Sequence, residues 1–344
     1  MNPGDLTHLP KVVLHDHLDG GLRPGTVLDL AAESGKPLPA DSPEALGRWF
    51  HRAGSSSLED YLEAFAHTYG VMQTPEAMHR VAYEAVADMA AAGVVYAEIR
   101  FAPSLHIAGA MDRSEAIAGV LSGLDAAERD LGVTARVIVD ALRQMSDSED
   151  VARSALEFAG AGVVGFDLAG PERGHPASDH RRALELAATG GLHLTIHAGE
   201  GDGVGSIADA LACGAERLGH GVRIVEDIEV VGGQVVAMGP VATAVHERRI
   251  PLEVAPISNL DTAMYPTPED HPVGLLHRAG FVVTLNTDNR LMSATSMLRE
   301  YRLVAEHCGF GMDDLRTVAD NAARAAFCDP VTRERITHLV AAGA

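Results

Sequence analysis

Residues 12–18 read Val-Val-Leu-His-Asp-His-Leu, an apolar run broken by two histidines two positions apart. Alternate residues of a strand share a face, so His15 and His17 project together while Asp16 points the other way. Seven further runs of this kind follow: Val94 to Phe101, Ala135 to Ala141, Val163 to Ala169, Leu192 to His197, Arg217 to His220, Pro251 to Pro256 and Phe281 to Asn286. Between them lie Ala/Leu/Glu-rich stretches with helical spacing, among them Ser114 to Leu131, His180 to Ala188 and Ile207 to Cys213. Eight strands alternating with helices predict an α/β protein whose parallel sheet closes into a (β/α)8 TIM barrel. No Gly-x-Gly-x-x-Gly follows the first strand, which argues against an open dinucleotide-binding sheet.

The 344 residues fit one barrel domain spanning 1–344. The stretch Arg23 to Gly93 is too long for a single helix and is expected to form a helical lid insertion, about 23–93. Within it Leu58, Tyr61, Leu62 and Phe65 fall at i, i+3, i+4 and i+7, an apolar stripe that either packs on the barrel or lines a gate. A second insertion, Glu229 to Pro240, carries Gly232-Gly233 between valine pairs and reads as a surface hairpin. A net charge of −21 repels phosphate backbones and anionic lipid, so neither nucleic acid nor a membrane is expected as a partner. The start lacks a basic stretch followed by an apolar one, and no run of 18 apolar residues occurs, so the chain reads as cytoplasmic. Its three cysteines include no Cys-x-x-Cys pair, so any metal must be held by histidine and carboxylate. The two lysines, Lys11 and Lys36, read as lying before the first strand and in a loop, away from any chemistry.

Barrel enzymes draw their catalytic groups from the carboxyl ends of several strands. Here those ends carry His15-Asp16-His17, His197-Ala198-Gly199-Glu200, Gly219-His220-Gly221 and Thr287-Asp288-Asn289. Two imidazoles from the first strand, His197 from the fifth and Asp288 from the eighth make an N3O set with room for water, as a catalytic zinc ion requires. Glu200, three residues beyond His197, sits where a general acid or base belongs, and His220 between two glycines could orient a water or steady developing charge. His193 reads as packed near the barrel bottom, and His106 and His175 as lying near the mouth.

At these residues the sequence resembles the adenosine deaminase family of the amidohydrolase barrels, most closely its actinobacterial branch. The motifs that carry the resemblance are LHDHLDGGLRP, SLEDYLEAF, VVYAEIRFAP, VVGFDLAG, TIHAGE, ERLGHGVR, PISN and LNTDN, spread over nearly the whole chain. The resemblance implies hydrolytic deamination of adenosine and 2′-deoxyadenosine, with one zinc ion per chain held by His15, His17, His197 and Asp288. It implies that Glu200 protonates purine N1, that His220 and Asp288 orient and deprotonate the attacking water, and that Asp19 meets the ribose hydroxyls. The Gly170 N–H would meet purine N3, Asn289 purine N7, and Leu58, Tyr61, Leu62 and Phe65 would form the hydrophobic gate; His17 would also border the substrate.

Three departures bear on specificity. The family's Asp-Asp pair after the eighth strand is here Asp288-Asn289, Ala255 precedes PISN where a cysteine is frequent, and Leu260-Asp261-Thr262-Ala263 follows it. Adenine or a modified purine nucleoside is therefore the alternative substrate. A binuclear hydrolase would need a lysine bridge that neither lysine is placed to give, and an inactive nucleoside-binding barrel should have lost a ligand or the glutamate; none is missing.

Overall fold

A three-residue strand closes this barrel, and an asparagine side chain completes the seam. The structure, a computed structural model, describes residues 3–51 and 58–343; the side chains of 3–5 and 58–63 lie outside what it describes. Its strands in chain order are β1 (Lys11–His17), β2 (Val94–Phe101), β3 (Thr134–Leu142), β4 (Val163–Ala169), β5 (His193–Ala198), β6 (Arg217–His220), β7 (Ile228–Val231), β8 (Gln234–Met238), β9 (Leu252–Val254) and β10 (Val283–Leu285). Eight of them form one sheet in the order β1-β2-β3-β4-β5-β6-β9-β10, with each neighbouring pair parallel. β10 is too short to ladder along β1. Instead Asn286 Oδ1 accepts from the amides of Leu14 (2.8 Å) and His15 (3.1 Å), and the bridge Asp16↔Asp288 continues the seam through His17 N to Asp288 O at 2.9 Å. The expected (β/α)8 barrel is present.

The strand ends differ from expectation where local chemistry intervenes. The first strand stops at His17 because the chain turns into a 3-10 segment, Leu18–Gly20. The last two barrel strands are shorter than predicted: Pro256 opens a helix, Pro256–Asp261, and Asn286, whose amide still donates to the Val254 carbonyl at 2.9 Å, turns its side chain to the seam. Lys11 is the first residue of β1, not a residue before it. Its Nζ is buried and donates to the carbonyls of Leu6 (2.6 Å) and Leu9 (2.7 Å), and burial lowers its pKa to about 8. It plugs the amino-terminal end, far from the strand ends that carry ligands.

The described residues of the predicted lid contain four helices, Pro24–Ser34, Pro43–Phe50, Leu58–Val71 and Pro75–Ala91. Each of the second and fourth begins with a proline behind a Ser or Thr cap, Ser42 and Thr74, whose side chains accept from the amides of Ala45 and Ala77. The helix Arg113–Leu131 opens with a capping box between Asp112 and Glu115, one residue before the predicted start. β7 and β8 form the expected hairpin, its turn made by Gly232 and Gly233 at φ of 59° and 77°. No helix among the described residues is long and apolar enough to cross a membrane.

Candidate active site

Outside the barrel, helices cover apolar strand faces; inside, the strands carry charge. Glu98 and Arg100 share one face of β2, Arg217 lies on β6 and Glu253 on β9, and all four are buried. Isolated charges at such depth would be prohibitively costly, and none is isolated. Arg217 contacts Glu98 Oε2 (2.5 Å) and Glu253 Oε1 (2.7 Å), while Arg100 reaches Glu253 Oε2 (2.8 Å) and Asp167 Oδ2 (2.7 Å).

This network ends in three imidazoles at the mouth. His15 Nδ1 meets Glu253 Oε2 at 3.0 Å, His17 Nδ1 meets Asp140 Oδ2 at 3.2 Å, and His197 Nδ1 meets Asp167 Oδ2 at 2.8 Å. A carboxylate on Nδ1 draws the ring proton there and leaves the Nε2 lone pair exposed to whatever it faces. Those lone pairs face one another. His17 Nε2 lies 3.2 Å from His197 Nε2, and Asp288 Oδ1 lies 3.4 Å from His15 Nε2 and 3.5 Å from His17 Nε2. His15 Nε2 is buried with no hydrogen-bond partner. His15 and His197 present bare Nε2 atoms, and His17 and Asp288 aim at the same point, so the donor set fits a divalent cation. Gly219 is required between the rings: a Cβ there would come within 3.1 Å of the His197 ring and 3.3 Å of that of His15.

The titration of the metal-free site divides the three. Burial drives His197 down to about 3 against the pull of Asp167, and burial together with the Arg100 charge lowers His15. For His17 burial acts in the same direction, but Asp140 outweighs it and raises the ring to about 9. Two of the imidazoles are thus neutral near pH 7, and the third holds a proton.

Glu200 stands on the loop after β5, with Oε2 at 3.6 Å from His220 Nε2. Burial raises its pKa, partly opposed by the neighbouring His220, which favours a proton-carrying carboxyl. The loop is clamped by a residue that sequence reading missed. Glu172 accepts from the amides of Gly199 (2.9 Å), Glu200 (2.8 Å) and Gly201 (2.7 Å), and Arg223 Nε donates to the Glu200 carbonyl at 2.9 Å. Glu172→Ala is expected to lower kcat by about tenfold or more by loosening the loop that carries Glu200, with any metal content unchanged. Steady-state kinetics together with elemental analysis would check this, and loss of the metal instead would show that the clamp serves the ligands.

His220 and Asp288 both adopt left-handed backbone conformations, φ 58° and 55°, at the ends of their strands. Non-glycine residues in this region are strained and cluster at functional sites. Ser258 Oγ donates to Asp288 Oδ2 at 2.5 Å, and Asn289 Nδ2 to Asp288 Oδ1 at 2.8 Å. Asn289 Oδ1 packs where a Cβ of Gly20 would stand, so only glycine fits there. Asp19 is buried at the same mouth, with Oδ2 at 3.4 Å from the Ala102 amide; burial opposes its charge, but His106 and His17 outweigh it and lower its pKa. Gly170 follows β4 at φ 93°.

Of the residues expected to form a gate, Leu58, Tyr61 and Leu62 belong to the helix Leu58–Val71, but their side chains lie outside the described residues; Phe65 is described and packs, partly buried, on the core. His193 is not a packed core residue: it is the first residue of β5, and its side chain is 45% exposed, paired with Glu216 and stacked on Phe327. His106 is buried, with Nδ1 2.9 Å from the Met72 carbonyl, and so anchors the lid to the strand end beside Asp19. The bracing residues Asp140, Asp167, Glu253 and Arg100 had one signal in the sequence, charge inside otherwise apolar strands.

A mouth whose donor set fits a cation, with an adjacent protonatable glutamate, set on the carboxyl ends of an eight-stranded α/β barrel, is the arrangement of the amidohydrolase barrels. The chain belongs to the adenosine deaminase family, whose model, described as Adenosine deaminase, matches residues 10–343. It is 50% identical over 331 residues to the adenosine deaminase of Mycobacterium leprae (strain TN), covering 94% of this chain and 91% of that one. Against the adenosine deaminase of Mycobacterium tuberculosis (strain ATCC 25618 / H37Rv) the identity is 48% over 326 residues, 92% of this chain and 89% of the relative. Among solved structures it is similar to adenine deaminase from Arthrobacter aurescens, with a TM-score of 0.86, 27% identity and coverage of 97% and 98%. It also shares the fold of the N6-mAMP deaminase of Arabidopsis, TM-score 0.81 at 24% identity, covering 98% and 99%. The family is one of metalloenzymes, and the chain is a hydrolytic deaminase.

Proposed function

We propose that the chain hydrolyses adenosine and 2′-deoxyadenosine at C6, releasing ammonia and the 6-oxo nucleoside, with one zinc ion held by His15, His17, His197 and Asp288. The observation that carries this reading is the convergence of three carboxylate-braced Nε2 atoms and Asp288 beside Glu200. A bound zinc ion supplies a water whose pKa falls to about 7. Glu200 gives its proton to purine N1, which makes C6 electrophilic, and His220 and Asp288 orient the attacking water, with Asp288 accepting its proton. The proton taken by Asp288 passes to the amino group, which leaves the tetrahedral carbon as ammonia, while the C6 hydroxyl becomes the carbonyl and returns its proton to Glu200. Asp19, an anion in the mouth, accepts from ribose hydroxyls, the Gly170 N–H meets N3, and Leu58, Tyr61, Leu62 and Phe65 close over the ligand. The whole chain, 1–344, acts as one barrel unit whose lid, 23–93, covers the mouth. A cytoplasmic setting fits the three free cysteines.

The test is a panel of adenosine, 2′-deoxyadenosine, adenine and AMP followed by ultraviolet absorbance and ammonia release. Turnover of the two nucleosides is expected. Preference for adenine, the rival suggested by the Arthrobacter likeness, would overturn the substrate assignment, and preference for AMP would do the same.

Asn289 uses one amide proton on Asp288, which leaves the second for purine N7, an atom that only accepts. The kcat/KM for 7-deazaadenosine is expected to fall about 5- to 150-fold, the equivalent of about 1–3 kcal/mol for an unpaired buried donor. Asn289→Ala should erase the difference between the two substrates. Equal handling by the unaltered protein would mean that Asn289 only holds Asp288.

A further inference from the structure

Behind His220 runs a chain of buried polar groups that the proposed reaction leaves unused. Asn259, on the helix Pro256–Asp261, places Nδ2 at 3.0 Å from His220 Nδ1 and Oδ1 at 3.1 Å from His271 Nε2. His271, just before the helix Val273–Arg278, accepts the Val273 amide on Nδ1 at 3.1 Å. His220, Asn259 and His271 are 1%, 0% and 4% exposed, so bulk water does not reach between them.

The direction of every hydrogen bond follows from one end. A backbone amide only donates, so His271 Nδ1 carries a lone pair and the ring proton sits on Nε2. Burial, reinforced by the nearby His220, lowers His271 to about 3 and keeps it neutral. Its Nε2–H needs an acceptor, which turns the Asn259 oxygen toward it and the Asn259 NH2 toward His220. That NH2 donates to His220 Nδ1, and the one remaining place for the proton of a neutral His220 ring is Nε2.

We propose that His271, acting through Asn259, is a positioning residue that fixes His220 as the Nε2–H tautomer, making it a hydrogen-bond donor at the site and keeping it out of the metal's ligand set. Of the side-chain groups spaced to hold a cation, one joins His220 to His15 and His197 and another joins His15, His17 and Asp288. The tautomer chooses between them, since a protonated Nε2 cannot ligate. It also divides the labour proposed above: His220 orients the water by donating to it, and Asp288 alone takes its proton. That division rests on the deaminase reading, whereas the tautomer does not.

The metal-loaded protein with 15N-labelled histidine, its His220 signals assigned with His220→Asn, reports each ring nitrogen's protonation by NMR without substrate. The expected spectrum has His220 and His271 both protonated on Nε2. His271→Leu frees the Asn259 amide to turn, so His220 should show a mixture of tautomers and kcat should fall about 10- to 100-fold, as for other residues that orient a site from behind, with KM changed far less. His271→Gln, whose NH2 can still donate to Asn259, should restore the spectrum and most of kcat. A proton on His220 Nδ1 in the unaltered protein overturns the proposal, as does a His271→Leu variant with unchanged spectrum and kcat. If the variants do not fold, the unaltered protein's spectrum still decides. Failure of every purine in the substrate panel would refute the deaminase reading and leave the tautomer result standing.

Discussion

Glu200→Gln is expected to lower kcat by about 10²–10⁴ while leaving one metal per chain and an unchanged thermal midpoint. Purine C6 resists attack by water until the ring nitrogen N1 carries a proton, and an amide cannot supply one. Burial raises the Glu200 pKa, so its carboxyl holds a proton further toward neutral pH than an exposed glutamate would. Because the protonated form does the work, kcat/KM should decline as pH rises through that pKa, and Glu200→Gln should remove this limb of the profile. The substitution keeps shape and volume, and the loop amides are held by Glu172, not by the Glu200 side chain. Structure and binding are therefore spared. Stopped-flow turnover with elemental analysis checks both halves, and a variant retaining more than about a tenth of kcat would show that the proton comes from elsewhere.

The convergence of the candidate ligands and acid was legible in the sequence because a barrel makes position along a strand equivalent to position in space. A histidine or aspartate that interrupts the carboxyl end of an apolar run must reach the mouth, whichever strand carries it. His15, His17, His197, Glu200, His220 and Asp288 were found that way. Their braces were not, because Asp140, Asp167 and Glu253 sit one or two layers deeper and pair with residues on other strands; His17 to Asp140 and His15 to Glu253 are separated by 123 and 238 positions, taken as 140 − 17 and 253 − 15. Glu172 escaped for another reason. It lies on a loop, where an acidic residue is ordinarily solvated, and only the approach of three amides from the next loop makes it a clamp. Lys11 misled because lysine seldom enters a strand buried; here two carbonyls at the barrel's foot accept its protons.

Binding of zinc to the metal-free protein near pH 7 is expected to release about one proton per chain, and thorough chelation to abolish turnover. His15 and His197 offer neutral rings, since burial lowers both, and for His15 the Arg100 charge adds to it. Asp288 is already an anion: burial opposes its charge, but the neighbouring histidines prevail and hold it well below the usual carboxylate range. The proton that must leave is shared between His17, raised to about 9 by Asp140 against the effect of burial, and Asp140, raised by burial to about 7. The pair titrates as a unit, so the released proton belongs to neither residue alone. Below about pH 9 the metal competes with that proton, and its apparent affinity should weaken about tenfold per pH unit as the solution is acidified. Calorimetric titration in buffers of differing ionisation enthalpy counts the protons. Asp140→Asn removes the carboxylate that keeps His17 charged, so proton release should fall toward zero, while loss of the brace weakens the metal by about 10- to 100-fold without changing its stoichiometry. Two metals per active chain, or full turnover after chelation, would sink the single-metal site, whereas unchanged proton release in Asp140→Asn would place the displaced proton on another residue.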